Sequence, residues 1–207
     1  MQERPVVRPW ELAVLAVTGA ALAGLCMDYH QQATAPVPEH SGRSIQDGVI
    51  LWMRLSAGQG PPPSDYPPLS LLVSSVFYGL FGVSRLSALS SQVVFLAPYL
   101  AGTWWLGREL GGRAGGVLVL LAAAGNPWLL INLSGYFLEP ATAAMVSSAF
   151  ALLLASRGGR LPGPTLALGL TLGLGMLSKW SFLFFLAPAM LWPLALAVTC
   201  RRGSRRL

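Results

Sequence analysis

The residues able to do chemistry in this sequence are sparse, and most fall in one polar interval running from Asp28 to Leu69. It holds Asp28, Asp47 and Asp65, the histidines His30 and His40, a proline run at Pro61 to Pro63, and the pentapeptide Asp65-Tyr66-Pro67-Pro68-Leu69. An aspartate just past a membrane helix can act as general base on a hydroxyl when its geometry and pKa suit, and Asp28 has that placement. Lys179 stands alone between two apolar runs, where an ammonium can neutralise a phosphate; Arg54 and Arg85 are candidate helpers. Glu139 heads another apolar segment, where an ionisable group is costly and usually faces protein or water. Glu139, Asp47 and Tyr66 would line the wall of such a site.

Each of these residues also has a plainer structural reading. Asp28 could be a solvated helix-end residue, and Asp47 a polar-face residue of a surface helix. Asp65 could cap the helix that follows it, and Glu139 could stabilise its own first turn through the helix dipole. Lys179 could snorkel to lipid headgroups. The spacing of His30, His40, Asp28 and Asp47 matches no established metal-ligand pattern, so no metal and no cofactor is expected. There is no glycine-rich phosphate loop or Walker motif.

The elements that must position these residues follow from composition. The chain has 207 residues, 54% hydrophobic and only 11% charged, whereas a soluble domain carries about 25% charged residues. Its mean hydropathy is +0.57. This is the composition of an integral membrane protein, long enough for about six spans of roughly 20 residues with one sizeable loop. The expected fold is all-α: a polytopic membrane helix bundle forming a single transmembrane domain over residues 1–207, with residues 28–69 as its first extracytoplasmic loop. The net charge of +6 sits in short clusters beside apolar segments, as topology signals do, and does not point to nucleic acid. Cys26 and Cys200 fall near the ends of the first and last spans, on opposite sides in the topology below, so no disulfide joins them in this reading.

Taken in order, Leu12 to Met27 reads as a first, uncleaved membrane helix, although Ala21-Leu22-Ala23 also resembles a signal cleavage site. Within the polar interval, Ile45, Val49, Trp52 and Met53 recur near a helical period and predict a surface helix over Ser44 to Ala57. Pro67-Pro68 opens a short apolar helix, Leu69 to Phe81, about 20 Å long at 1.5 Å per residue, which suits a re-entrant or tilted half-span. Leu86 to Leu106 is long enough to cross, Gly111-Gly112-Arg113 makes a turn, and Ala114 to Leu133 crosses back with an interruption at Asn126-Pro127. Gly135 to Ala155 and Pro164 to Leu177 are further spans, the latter with Gly169, Gly173 and Gly175 spaced for close helix approach. Ser178-Lys179-Trp180 is the polar break before Phe182 to Thr199, and Arg201, Arg202, Arg205 and Arg206 lie near the chain's end. Asn132-Leu133-Ser134 is a formal glycosylation sequon at the predicted membrane edge.

Assigning Arg4/Arg8, Arg108/Arg113, Arg157/Arg160 and the terminal arginines to the cytoplasm satisfies the positive-inside rule at four successive inner positions. The expected localisation is a multi-pass protein of the cell membrane with a cytoplasmic N-terminus. Asp28, Asp47, Asp65, Glu139 and Lys179 then share the outer side.

The order of these segments resembles a known family. An acid follows the first helix; Asp65-Tyr66-Pro67-Pro68-Leu69 opens a short helix ending Leu80-Phe81-Gly82-Val83-Ser84; an Arg85-initiated span comes next. Gly135-Tyr136-Phe137-Leu138-Glu139-Pro140 heads another span, and Leu174-Gly175-Met176-Leu177-Ser178-Lys179 closes the series. Over residues 12–190 this resembles the N-terminal part of the family 39-like GT-C glycosyltransferases, the group of protein O-mannosyltransferases and lipid A aminoarabinose transferases. The resemblance implies an inverting membrane enzyme that moves a sugar from a polyprenyl-phosphate carrier to a hydroxyl of a lipid, glycan or protein acceptor on the extracytoplasmic face. By position, Asp28 would match the catalytic aspartate, Glu139 the acid heading the later span, and Lys179 a lysine near the carrier phosphate. The family often has an Asp-Glu pair after the first helix; here Tyr29 and His30 follow Asp28, leaving Asp47 or Asp65 as substitute acids. Family members are usually longer, so the chain reads as the N-terminal portion of such an enzyme. The alternative is a catalytically inactive, truncated or accessory membrane subunit, or a small transporter, which should show an internal repeat or paired broken helices.

Overall fold

The computed structural model describes residues 7–32, 39–62 and 67–191, and among these the chain is helical with no strand. The helices are α1 (Pro9–Gln32), α2 (Glu39–Ser56), α3 (Leu69–Phe81), α4 (Arg85–Val93), α5 (Leu96–Ala124), α6 (Pro127–Ser134), α7 (Glu139–Ala155) and α8 (Pro162–Ser178). An apolar helix, Phe182–Leu191, follows them. Among the described residues two stretches are long and apolar enough to cross a membrane, Pro9–Tyr29 and Arg85–Ala124, while Leu69–Phe81, Glu139–Ala155 and Phe182–Leu191 are shorter apolar helices.

The second stretch is a hairpin. Gly111 and Gly112 leave helical geometry, and Gly112, at φ 63° and ψ −157°, occupies a region essentially restricted to glycine. The chain reverses there, because the backbones of Gly107 and Gly115 meet: a Cβ on Gly107 would lie 2.7 Å from the Gly115 carbonyl oxygen. Eight residues of straight helix would separate them by about 12 Å. The predicted turn is therefore present, but the predicted continuous helix Leu86 to Leu106 is broken between Val93 and Leu96. Pro98 accounts for this, since it has no N–H for the carbonyl four residues earlier and its ring crowds that carbonyl.

Three contacts set the direction of the bundle. Met27 Sδ, near the end of α1, accepts a hydrogen bond from Ser90 Oγ at 3.2 Å, whereas Glu11, near its start, pairs with Arg108 at 3.7 Å. Between them Gly19 faces Leu100, so α1 runs antiparallel to the first arm of α5. Phe95 packs with Ala141 and Met145, and Ser148 Oγ donates to the Pro98 carbonyl at 3.1 Å, so that arm and α7 run side by side in the same direction. Gly102 permits the approach: a Cβ there would fall 2.7 Å from backbone atoms of Ser147 and Ser148. The α7–α8 turn uses Arg157, Gly158 and Gly159, all at positive φ. One end of the bundle thus gathers Arg8, Arg108, Arg113, Arg157 and Arg160, and the other gathers Asp28, Glu139 and Lys179.

Several boundaries move. Helix α1 continues to Gln32, so Asp28 lies within its last turns and not beyond its end. Helix α2 begins at Glu39, five residues before the predicted start. Of the three α8 glycines expected to permit close helix approach, only Gly175 receives a neighbour, the Phe182 ring; Gly169 and Gly173 face open space.

Candidate functional site

The end that holds Asp28, Glu139 and Lys179 contains an ion pair. Helix α8 stops at Ser178, and Lys179 turns into extended geometry (φ −164°, ψ 141°), which carries its side chain away from the α8 axis. Its Nζ donates to Glu139 Oε1 at 2.6 Å, and both side chains are about one-third exposed, at 31% and 32%. Glu139 begins α7, with Pro140 in the first turn, where a carboxylate also benefits from the helix dipole. One turn inward, Ser178 Oγ lies 3.4 Å from Thr142 Oγ1, and the Phe182 ring packs on Gly175. These contacts close α7 against α8 beneath the pair. The two residues were anticipated as separate members of one site, and the structure brings them into direct contact.

Beside the pair sits a buried hydroxyl cluster. Tyr136 is 1% exposed and adopts φ 53°, unusual for a residue with a Cβ. Its hydroxyl lies 2.6 Å from Ser74 Oγ on α3, which lies 2.8 Å from Ser91 Oγ on α4. Ser74 also donates to the Ser70 carbonyl at 2.9 Å, and Ser91 to the Ala88 carbonyl at 2.6 Å. Burial holds the Tyr136 phenol well above its ordinary pKa, against the opposing effect of the Ser74 hydrogen bond; the neighbouring Tyr78 and Asp47 push the same way as burial. The phenol therefore stays protonated and serves as a donor. Gly48 of α2 faces this cluster: a Cβ there would make ordinary contacts with the Tyr78 ring at 3.5 Å and the Tyr136 hydroxyl at 3.7 Å.

The remaining candidates are more dispersed. Asp28 and Asp47 are exposed, on α1 and α2, and Arg85 is exposed at the start of α4. Arg54 is half-buried in the last turn of α2, and its Nε is buried without a hydrogen bond. Asp65, Tyr66 and Cys200 lie outside the described residues, as do the side chains of His30 and His40. The residue at the N-cap of α3 is Pro68, which has no side-chain acceptor. Among the described residues no group of three or more His, Cys, Asp or Glu side chains is placed to hold a metal. Asn132, the predicted sequon residue, is buried and donates to the Trp128 carbonyl at 2.8 Å. Next to the Asp28 turn, Met27 lines a groove of about 490 Å³ with Phe77, Phe81, Ser87, Ser90 and Val94.

The hydroxyl cluster was missed from sequence, although a signal exists. Ser70, Ser74 and Tyr78 recur every fourth residue in an otherwise apolar helix, which puts three polar groups on one face.

An all-helical apolar bundle with five arginines gathered at one end, and Asp28 and the Glu139–Lys179 pair at the other, is an arrangement that membrane proteins build. The profile of the dolichyl-phosphate-mannose-protein mannosyltransferase family matches residues 65–206, more than half of the chain, and the protein belongs to that family. It is thereby a membrane glycosyltransferase of the GT-C type. Comparison with curated proteins and with solved structures gave no match.

Proposed function

We propose that the chain takes a sugar from a polyprenyl-phosphate carrier and transfers it, with inversion, to an acceptor hydroxyl on the extracytoplasmic face. The observation that carries this reading is the pair formed by Lys179, the chain's single lysine, with Glu139 at 2.6 Å. An ammonium held at the rim of an apolar bundle suits a lipid-linked phosphate, which would exchange Glu139 for its own oxygens as counter-charge. Arg54 and Arg85 supply further positive charge from α2 and α4. Asp28, exposed near the end of α1, is the proposed general base: it accepts the acceptor's proton as the oxygen attacks the anomeric carbon, and the carrier phosphate departs toward Lys179. Asp65 is the second candidate for that role, with Asp47 and Tyr66 lining the approach. The groove beside Met27 is of a size that accommodates a ligand's apolar portion.

The gathering of Arg8, Arg108, Arg113, Arg157 and Arg160 at the opposite end supports a multi-pass topology with that end cytoplasmic. In it α1, the two arms of the α4–α6 hairpin, α7, α8 and the expected span Phe182 to Thr199 supply about six crossings. The experiment is transfer from polyprenyl-phosphate mannose in proteoliposomes by the wild type and by D28N and D65N. Loss of transfer in at least one variant is expected, and full activity in both would overturn the assigned chemistry.

A further inference from the structure

We infer that Tyr136 is a positioning residue for the Glu139–Lys179 pair, acting through its hydrogen bond to Ser74. This rests on the reading of that pair given above. Tyr136 lies three residues before Glu139, in the turn between α6 and α7. Its φ of 53° places it in the left-handed region, which is unfavourable for a residue with a Cβ and persists only where the surroundings enforce it. Two features enforce it here. The ring is buried with Tyr78, Ala88 and Leu89, and the hydroxyl has a partner 2.6 Å away in Ser74.

The direction of the hydrogen bonds makes Tyr136 the head of the chain. Ser74 places its hydrogen on the Ser70 carbonyl and Ser91 places its own on the Ala88 carbonyl. The phenol then donates to Ser74 Oγ. That bond, 2.6 Å long, fastens the turn before Glu139 to α3. Gly135 allows the turn to fold this tightly, because a Cβ there would run into the Phe137 ring. If the Tyr136 oxygen is removed, the ring still fills its space, but the turn loses its tether. Leu138 and Glu139 then gain freedom, and Lys179 spends less time against its carboxylate.

Lys179 being the single lysine, its engagement can be read directly, without any transfer assay. The full chain in liposomes is treated with a water-soluble amine-acylating reagent, and modification of Lys179 is followed by mass spectrometry. E139Q, which removes the counter-charge, sets the upper limit. Y136F and S74A are each expected to raise the rate about threefold over wild type. The Y136F/S74A double variant should be no faster than either single one, and Y136F/E139Q no faster than E139Q. Wild-type rates in both Y136F and S74A, or rates that multiply in the double variants, would overturn the inference. Parallel assays with polyprenyl-phosphate mannose separate the two readings. Altered labelling without transfer by the wild type leaves the positioning role intact and removes the proposed function, while transfer with unaltered labelling does the reverse.

Discussion

Lys179 Nζ stands 2.6 Å from Glu139 Oε1, across forty residues of sequence. Both partners are about one-third exposed, so as a stabilising interaction the pair is worth no more than about 1 kcal/mol. In the proposed reading its effect on the carrier phosphate is larger, because it fixes where the ammonium stands. K179Q is therefore expected to raise the donor KM by tenfold or more while shifting the melting temperature by only a few degrees. K179R should recover part of the affinity, since it keeps the charge but presents a planar fork in place of a compact ammonium. Steady-state transfer kinetics with thermal unfolding in detergent check both; a large drop in melting temperature with an unchanged KM would make the pair structural.

Gly102 and Gly169 should respond in opposite ways to alanine. At Gly102 the new Cβ would lie 2.7 Å from backbone atoms of α7, and backbone cannot swing aside as a side chain can. Overpacking of this kind costs about 1–3 kcal/mol, and because the α5–α7 contact sets the bundle's spacing, G102A is expected to lower the unfolding temperature clearly. At Gly169 nothing lies within 4 Å of the added atom, so G169A should be neutral or slightly stabilising through helix propensity. Unfolding temperatures of the two variants in the same detergent decide the matter.

Much of this organisation can be read from punctuation in the sequence. Pro67-Pro68 and Gly82 bracket α3, whose observed bounds, Leu69 to Phe81, coincide with the expected ones. Gly111-Gly112 marks the hairpin because reversing the chain there needs a conformation that glycine alone adopts freely. The break before Leu96 was equally legible, since Pro98 cannot bond back to the preceding turn, but the apolar run around it masked the signal. The partners of Glu139 and Lys179 were not legible. Each stands out as a lone charge at the edge of an apolar run, yet their contact depends on α7 and α8 folding into a hairpin of matched length. The Tyr136–Ser74 bond and the Glu11–Arg108 pair were hidden for a related reason: serines and helix-end charges occur throughout such chains, and three-dimensional placement alone distinguishes these.

Alkaline pH should weaken the fold partly through Tyr136. Its phenol is held protonated by burial, with a pKa above the ordinary value of 10.0. A group with a raised native pKa contributes its full stabilisation below the unfolded-state pKa and loses it as pH climbs toward the native value. Stability should therefore be independent of this group up to about pH 10 and fall above that. Y136F, lacking the ionisable oxygen, should show a shallower decline over the same range. Chemical or thermal unfolding between pH 8 and 11 measures the difference, and parallel slopes would refute the assignment.

The opposite end of the bundle makes the strongest stability prediction. Glu11 is fully buried at 0% exposure, and Arg108 is 9% exposed. Glu11 Oε2 accepts the Arg8 backbone N–H at 2.7 Å, Oε1 faces Arg108 Nε at 3.7 Å, and the guanidinium lies 5.4 Å from the centre of the Trp104 ring. This pair ties the start of α1 to the α5 hairpin, and the buried Glu11 carboxylate has Arg108 as counter-charge. Removing one partner leaves a buried charge uncompensated, a loss of about 3–5 kcal/mol, whereas replacing both with apolar or neutral groups of similar size is often tolerated. R108M is thus expected to unfold or aggregate well below the wild-type temperature, and E11Q/R108M to recover most of the loss. The comparison runs in one detergent, by unfolding temperature and by the fraction of protein surviving extraction. Equal damage in the single and double variants would show that Arg108 acts through its packing on Trp104 and not through the Glu11 charge.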